Sequence, residues 1–228
     1  MPVLALDTSG AAVTVALHDG DGVVGRRSTL DARRHAELLA PSVAAVLEEA
    51  GVARTDVSAV AVGVGPGPFT GLRAGVVTAR VLGLALGVRV VGVCSLDALA
   101  LQLARELPDP RAGAGFAVVT DARRREVYWA LYAPEPGGVP RRFEGPAVTA
   151  PAELVAALPD GVGVLGRGAT LYPDLFAAPP GPLDVDAGAV AELAVRGLAT
   201  GEGLLPPEPL YLRRPDAAPP GARKRVLT

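Results

Sequence analysis

The 228-residue chain sets 22 Lys and Arg against 24 Asp and Glu, a net charge of −2, so no overall positive field would hold nucleic acid by charge alone. Half of its residues are hydrophobic, enough for one large domain or two small ones, and its 28 Gly and 22 Pro are spread along the chain rather than gathered in a low-complexity tract. One cysteine, Cys94, rules out an internal disulfide framework and fits a reducing compartment.

In chain order, Val3–Asp7 predicts a short buried strand that runs into the turn Thr8-Ser9-Gly10. No basic, cleavable leader pattern precedes it, so the cytoplasm is expected. Residues 13–18 alternate as a second strand, Asp19-Gly-Asp-Gly22 makes a turn, and residues 23–29 return as a third strand. Asp31 is placed to cap a helix over residues 32–50, which Gly51 would stop. Its apolar face runs through Leu39, Val43, Val46, Leu47 and Ala50. Residues 57–64 then read as a buried strand.

The run Gly63-Val-Gly-Pro-Gly-Pro-Phe-Thr-Gly-Leu-Arg-Ala-Gly75 is the most informative segment. Gly65, Gly67 and Gly71 allow backbone to approach backbone, Pro66 and Pro68 hold the loop extended, and Thr70 occupies the expected N-cap of a helix over residues 72–86. Such a loop binds an anion or fixes a strand-to-helix crossover, and neither standard phosphate-loop spacing is matched. In the helix, Gly71, Gly75, Ala79 and Gly83 fall every fourth residue on one face. Glycine costs about 1 kcal/mol relative to alanine inside a helix, so the stripe needs a close approach, either to the chain's own sheet or to a partner helix. The apolar stretch 74–93 is interrupted by Arg80, Arg89 and glycines, against a membrane span. Residues 88–93 predict another strand, with Cys94 as a small buried hydrophobe, and Ser95 caps a helix over residues 96–107.

Residues 108–115, rich in Pro and Gly, predict a boundary between subdomains 1–107 and 108–228. Beyond it the opening layout recurs: Phe116–Asp121 is again a strand ending in Asp, and residues 126–132 are again the return strand, which points to an internal duplication. A helix at 151–158, a strand at 161–165, a loop Gly166-Arg-Gly-Ala169 and a helix at Ala187–Thr200 complete the second half. Residues 206–228 predict a Pro-rich tail without regular structure.

The combination Asp7-Thr8-Ser9, Gly65-Pro-Gly-Pro-Phe-Thr-Gly-Leu-Arg73, Asp121-Ala-Arg-Arg, Glu126-Val-Tyr128 and Tyr211-Leu-Arg213 resembles the TsaB (YeaZ-type) family over nearly the whole chain. The resemblance implies an α/β, actin-like and sugar kinase-like (ASKHA) fold made of two ribonuclease H-like halves. It implies a non-catalytic subunit of the bacterial tRNA threonylcarbamoyladenosine machinery. Its partner would be the catalytic subunit TsaD, assisted by the ATPase TsaE, with tRNA met only through the complex and a homodimer formed when the partner is absent. Docking is expected on the helices at 32–50 and 72–86, with His35, Leu39, Val43, Leu72, Arg73, Gly75, Val76 and Ala79 as interface candidates. Gly65, Gly67, Thr70 and Gly71 are the structural loop.

Catalytic and cofactor chemistry find few residues. Metal-binding relatives use His-x-x-x-His on the first long helix, whereas here His35 is followed by Leu39 and the other histidine, His18, is on a strand, so no metal is expected. Asp7, Thr8 and Ser9 are the candidate phosphate or nucleotide contacts. The matching turn of the second half, Asp121-Ala122-Arg123, lacks the glycine that lets phosphate approach. No intrinsic cofactor is expected, with ATP or ADP, where held, at the partner interface; the alternative is a small-molecule kinase of the actin-like class. Arg123, Arg124, Arg125, Arg213 and Arg214 are cationic, but the sequence interleaves no aromatic platform among them, which disfavours RNA binding by the isolated chain.

Overall fold

Short apolar strands with β-branched residues on both faces require cover on both sides, and that requirement organises the molecule. In the computed structural model, which describes residues 1–31, 34–106, 115–135, 137–177 and 181–213, two sheets satisfy it. Strands β1 (Val3–Asp7), β2 (Ala12–His18), β3 (Val23–Leu30), β4 (Ala59–Gly63) and β5 (Arg89–Val93) form the first sheet, in the order β3-β2-β1-β4-β5. β1 runs antiparallel to β2, with Asp7 opposite Thr14, and parallel to β4, with Leu6 opposite Val62. Strands β6 (Phe116–Asp121), β7 (Val127–Ala133), β8 (Arg141–Thr149) and β9 (Gly163–Leu165) form the second, in the order β8-β7-β6-β9. With the same antiparallel hairpin and the same parallel neighbour, the second sheet repeats the first without its fifth strand. The duplication expected from the two strand–Asp–turn openings is therefore present in the hydrogen-bond pattern.

Three apolar layers interleave with the sheets. One face of the first sheet, with Leu4, Leu6, Val15, Val60 and Val62, is covered by α1 (His35–Glu49) and α2 (Phe69–Leu86) through Leu39, Val43, Val46 and Val76. The opposite face is lined by small residues, Ala5, Ala16, Ala59 and Ala61, and takes α6 (Ala187–Thr200), with α3 (Ser95–Glu106) packed against α6 and the second sheet. Phe116, Val118 and Tyr132 of the second sheet close this middle layer. The outer face of the second sheet is covered by α4 (Pro151–Ala157) and α5 (Arg167–Leu171) through Leu154 and Ala169. The helix expected to complete the second half thus lies on the first sheet, because its Ala- and Gly-rich face matches the alanine face there.

Several expectations need correction. α1 opens at His35, with Arg34 as its flanking residue, instead of at residue 32; Asp31 turns back to accept from the Arg34 N–H, 3.2 Å, and to pair with its guanidinium. Residues 32 and 33 lie outside the described residues. Thr70 is not an N-cap: α2 starts at Phe69 with extended Pro68 before it, and the Leu72 N–H already bonds the Pro68 carbonyl, 3.0 Å. Residues 167–171 form a short helix where a loop was expected. β8 escaped the sequence reading because Gly145-Pro146 interrupts its pattern and it is an edge strand, half polar. Most of the predicted boundary at 108–115, and the tail beyond Arg213, lie outside the described residues. Residues 206–213 are irregular but pinned: Leu205 pairs with Gly92, and the Leu210 N–H donates to the Val64 carbonyl, 2.7 Å.

Candidate functional site

The turn after β1 and the Gly-Pro-rich loop after β4 meet at the ends of the parallel strands, the place where open α/β sheets bind ligands. There the three residues Asp7, Thr8 and Ser9 each rest on a glycine. A methyl group on Gly63 would come within 3.0 Å of the Asp7 carboxylate, one on Gly75 within 3.0 Å of the Thr8 hydroxyl, and one on Gly67 within 3.0 Å of the Ser9 backbone. The glycine motif is a socket shaped to this turn.

The polar atoms of the turn are consumed in that socket. Asp7, 1% exposed, accepts through Oδ1 from the Ser9 N–H and hydroxyl and through Oδ2 from the Ser95 hydroxyl, all at 2.7 Å. Ser95 Oγ accepts in turn from the Gly65 N–H, 3.0 Å, so the start of α3 locks the loop. The Thr8 hydroxyl donates to the Gly71 carbonyl, 2.7 Å, and accepts from the Gly75 N–H, 3.1 Å. Burial pushes the Asp7 carboxyl above its usual range, and the hydrogen bonds from Ser95 and Ser9 offset only part of that rise. In this arrangement the aspartate tethers loop to sheet. A phosphate or a cation there would have to displace these hydroxyls.

Between the turn and the second sheet lies a cleft of about 210 Å³, lined by Ser9, His35, Phe69, Leu99, Arg123 and Arg167 among others. Asp184, which sequence reasoning missed, spans it. Its carboxylate accepts from the Ala11 N–H, 3.2 Å, and pairs with Arg167 from α5. Only the tertiary fold brings residues 11, 167 and 184 together. His35 contributes Nε2 at 3.3 Å from the Gly10 carbonyl, and His18, buried on β2, accepts at Nδ1 from the Gly20 N–H, 3.0 Å.

The stripe on α2 faces inward, against Thr8 and against Val90 of β5. This corrects the residues chosen for docking. His35, Leu39, Val43, Leu72, Gly75, Val76 and Ala79 are all buried inside the chain, and of the candidates only Arg73 is exposed. The outward side of α2 instead carries Val77, Val81 and Leu84, at 57%, 59% and 86% exposure. Among the described residues α2 is long and apolar enough to cross a membrane by length and composition, and one third of it is buried in the fold.

The remaining signature residues form a strap. Tyr211 stacks on Phe69, ring centroids 5.3 Å apart, and the Arg73 guanidinium lies 4.2 Å from the Phe69 centroid. Two residues on, Arg213 donates to the Ala122 carbonyl, 3.2 Å, and pairs with Glu126. Motifs far apart in sequence are therefore one contact network.

Two sheets with one repeated strand order, flanked by helices, give the actin-like, sugar kinase-like fold. A profile of the family described as "TsaD: tRNA N6-adenosine threonylcarbamoyltransferase" matches residues 15–166. An uncharacterized Mycobacterium tuberculosis H37Rv protein is 45% identical over 226 residues, covering 95% of this chain and 94% of its own. The tRNA threonylcarbamoyladenosine biosynthesis protein TsaB of Escherichia coli K12 is 35% identical over 178 residues, 77% of this chain and 75% of that protein. The solved structure of YeaZ from Pseudomonas aeruginosa superposes with a TM-score of 0.78 at 34% identity, covering 92% of this chain and 99% of that one. The chain belongs to the TsaB (YeaZ-type) family, and with it to tRNA threonylcarbamoyladenosine biosynthesis.

Proposed function

We propose that this protein works as a non-catalytic subunit that docks and activates a TsaD-type threonylcarbamoyl transferase in the cytoplasm, with a TsaE-type ATPase assisting. The observation that carries this reading is the division of labour on α2. Its inner stripe holds the Thr8 hydroxyl, and Ser9 and Ser95 hold the Asp7 carboxylate, so the side chains of the turn are engaged in structural hydrogen bonds. Its outer side leaves Val77, Val81 and Leu84 uncovered, and α1 beside it exposes Ala36, Ala40 and Ala44. Two helices with small and branched apolar residues outward suit packing against a second helix pair. The same surface would serve a homodimer when the catalytic subunit is absent. ATP or ADP, where the complex holds it, belongs at the subunit junction in this reading.

Light scattering on size-exclusion fractions tests it, with the protein alone and mixed with its TsaD-type partner and tRNA threonylcarbamoylation assayed on each fraction. The expected result is a dimer that exchanges into a heteromer carrying activity neither subunit has alone. Val81→Glu with Leu84→Glu should leave thermal stability within about 1 kcal/mol of wild type, since both side chains are exposed, yet weaken association at least about tenfold. A monomer indifferent to the partner, or ATP turnover on small metabolites by the protein alone, would overturn the reading.

A further inference from the structure

Arg123, Arg124 and Arg125, at the β6–β7 turn, adopt left-handed backbone in succession, with φ of 61°, 54° and 62°. L-residues other than Gly, Asn and Asp rarely take this conformation singly, and a turn serving only to reverse the chain would take Gly or Asn more easily. The turn is held from several sides. The Ala122 N–H donates to the Glu126 carbonyl, 3.1 Å, and the Glu126 N–H to the Arg123 carbonyl, 3.0 Å. The Asp121 carboxylate accepts from the Arg123 N–H, 2.7 Å, and pairs with its guanidinium, 3.2 Å. Arg213 clamps the base of the hairpin through the Ala122 carbonyl and Glu126. Strain that the surroundings over-determine is characteristic of functional segments. Here it presents three exposed arginines on one fixed tip.

Arg123 of this tip lines the same cleft as Phe69. Tyr211, two residues before Arg213, stacks on Phe69, and the two residues are 39% and 41% exposed, with Arg73 against the Phe69 ring. Arginines and aromatic faces that the sequence separates thus share one surface. Arg73, Arg123, Arg124 and Arg125 are exposed on it. Cations alone would also suit an acidic protein face. Cations beside half-exposed stacked rings suit single-stranded RNA, whose phosphates and unpaired bases use both.

We propose that this surface contacts the tRNA directly: the arginine tip takes backbone phosphates, and the exposed ring of the Phe69–Tyr211 pair takes an unpaired base. The identity of the RNA rests on the function proposed above; the RNA-binding chemistry rests on the surface itself. The chain's overall charge of −2 means that the contact is local and adds to whatever the catalytic subunit binds.

Labelled tRNA is titrated by fluorescence anisotropy with the assembled complex of this protein and its TsaD-type partner, over a range of salt. Arg124→Gln with Arg125→Gln should weaken binding about tenfold and lower the slope of log Kd against log salt by roughly 1 to 2. Tyr211→Ala should weaken it about tenfold with the slope unchanged, because stacking releases no counterions. Size exclusion of each variant with the partner runs in parallel. Wild-type affinity and slope in variants that still assemble would overturn the proposal, as would loss of assembly, which would make the surface a protein contact. Should a variant fail to fold, a benzophenone side chain placed at position 125 in the wild-type background must crosslink to tRNA within the complex; crosslinking only to protein overturns the proposal. A wild-type protein that never joins the partner fails the function proposed above instead, and its own tRNA affinity and salt slope, read on the same variants, then decide the RNA contact.

Discussion

Gly75→Ala should destabilise this protein, although helix propensity taken alone says the opposite. Replacing a helix-interior glycine with alanine ordinarily gains about 1 kcal/mol. Here the new methyl group would sit within 3.0 Å of the Thr8 hydroxyl, which bonds the Gly71 carbonyl at 2.7 Å and accepts from the Gly75 N–H at 3.1 Å. Thr8 is fully buried, so it has no solvent to move into. Losing those two hydrogen bonds costs about 1–2 kcal/mol, and overpacking a closed site costs about 1–3 kcal/mol more. Set against the propensity gain, the net loss is about 1–4 kcal/mol, a fall in Tm of roughly 2–16 °C for a chain of this size. Thermal and urea unfolding of the isolated protein measure it. The cause is separable by a double-mutant cycle: in a Thr8→Ala background, where both the hydroxyl and the γ-methyl are gone, Gly75→Ala should cost at least about 1 kcal/mol less. A rise in Tm on Gly75→Ala, or identical costs in both backgrounds, would refute the socket.

Two further expectations follow from buried groups. Burial raises the Asp7 pKa, so folding favours its protonated form. That contribution is complete below the unfolded pKa and is lost as pH rises through the folded one. Asp7→Asn, which cannot ionise, should therefore gain on wild type in Tm as pH rises above about 4; a difference that stays flat with pH would refute this. Cys94 is 1% exposed and its thiol is pushed up to about 12, chiefly by burial, so a thiol reagent near pH 8 should label it only as fast as the protein unfolds. Stoichiometric labelling of the folded protein within minutes would contradict the packing of that strand end.

Local chemistry was enough to find the strand–Asp–turn openings, the duplicated layout and the family signature, because period-two apolar runs and Gly-Pro punctuation act over a few residues. It also found the Gly71, Gly75, Ala79 and Gly83 stripe and inferred a close approach, since four small residues at helical spacing have no other economical explanation. Which surface approaches was not legible. A stripe of small residues looks the same whether it meets Thr8 and Val90 of its own chain or a neighbouring helix, and only the position of β1 and β5 decides. The exposed side of α2 went unnoticed for the same reason: Val77, Val81 and Leu84 look like core residues in a row that is apolar nearly all round.

The sequence by itself determined that the chain is α/β, internally repeated and built around a glycine-rich crossover, because those properties reside in neighbouring residues. Tertiary structure alone decided that Asp7, Thr8 and Ser9 pack against Gly63, Gly75 and Gly67, that Asp184 crosses the cleft to Arg167, and that Arg213 and Tyr211 join the arginine turn to Phe69. Those pairs span tens to more than a hundred positions along the chain. Their geometry follows from how two sheets and the helices between them close-pack, which no local pattern encodes.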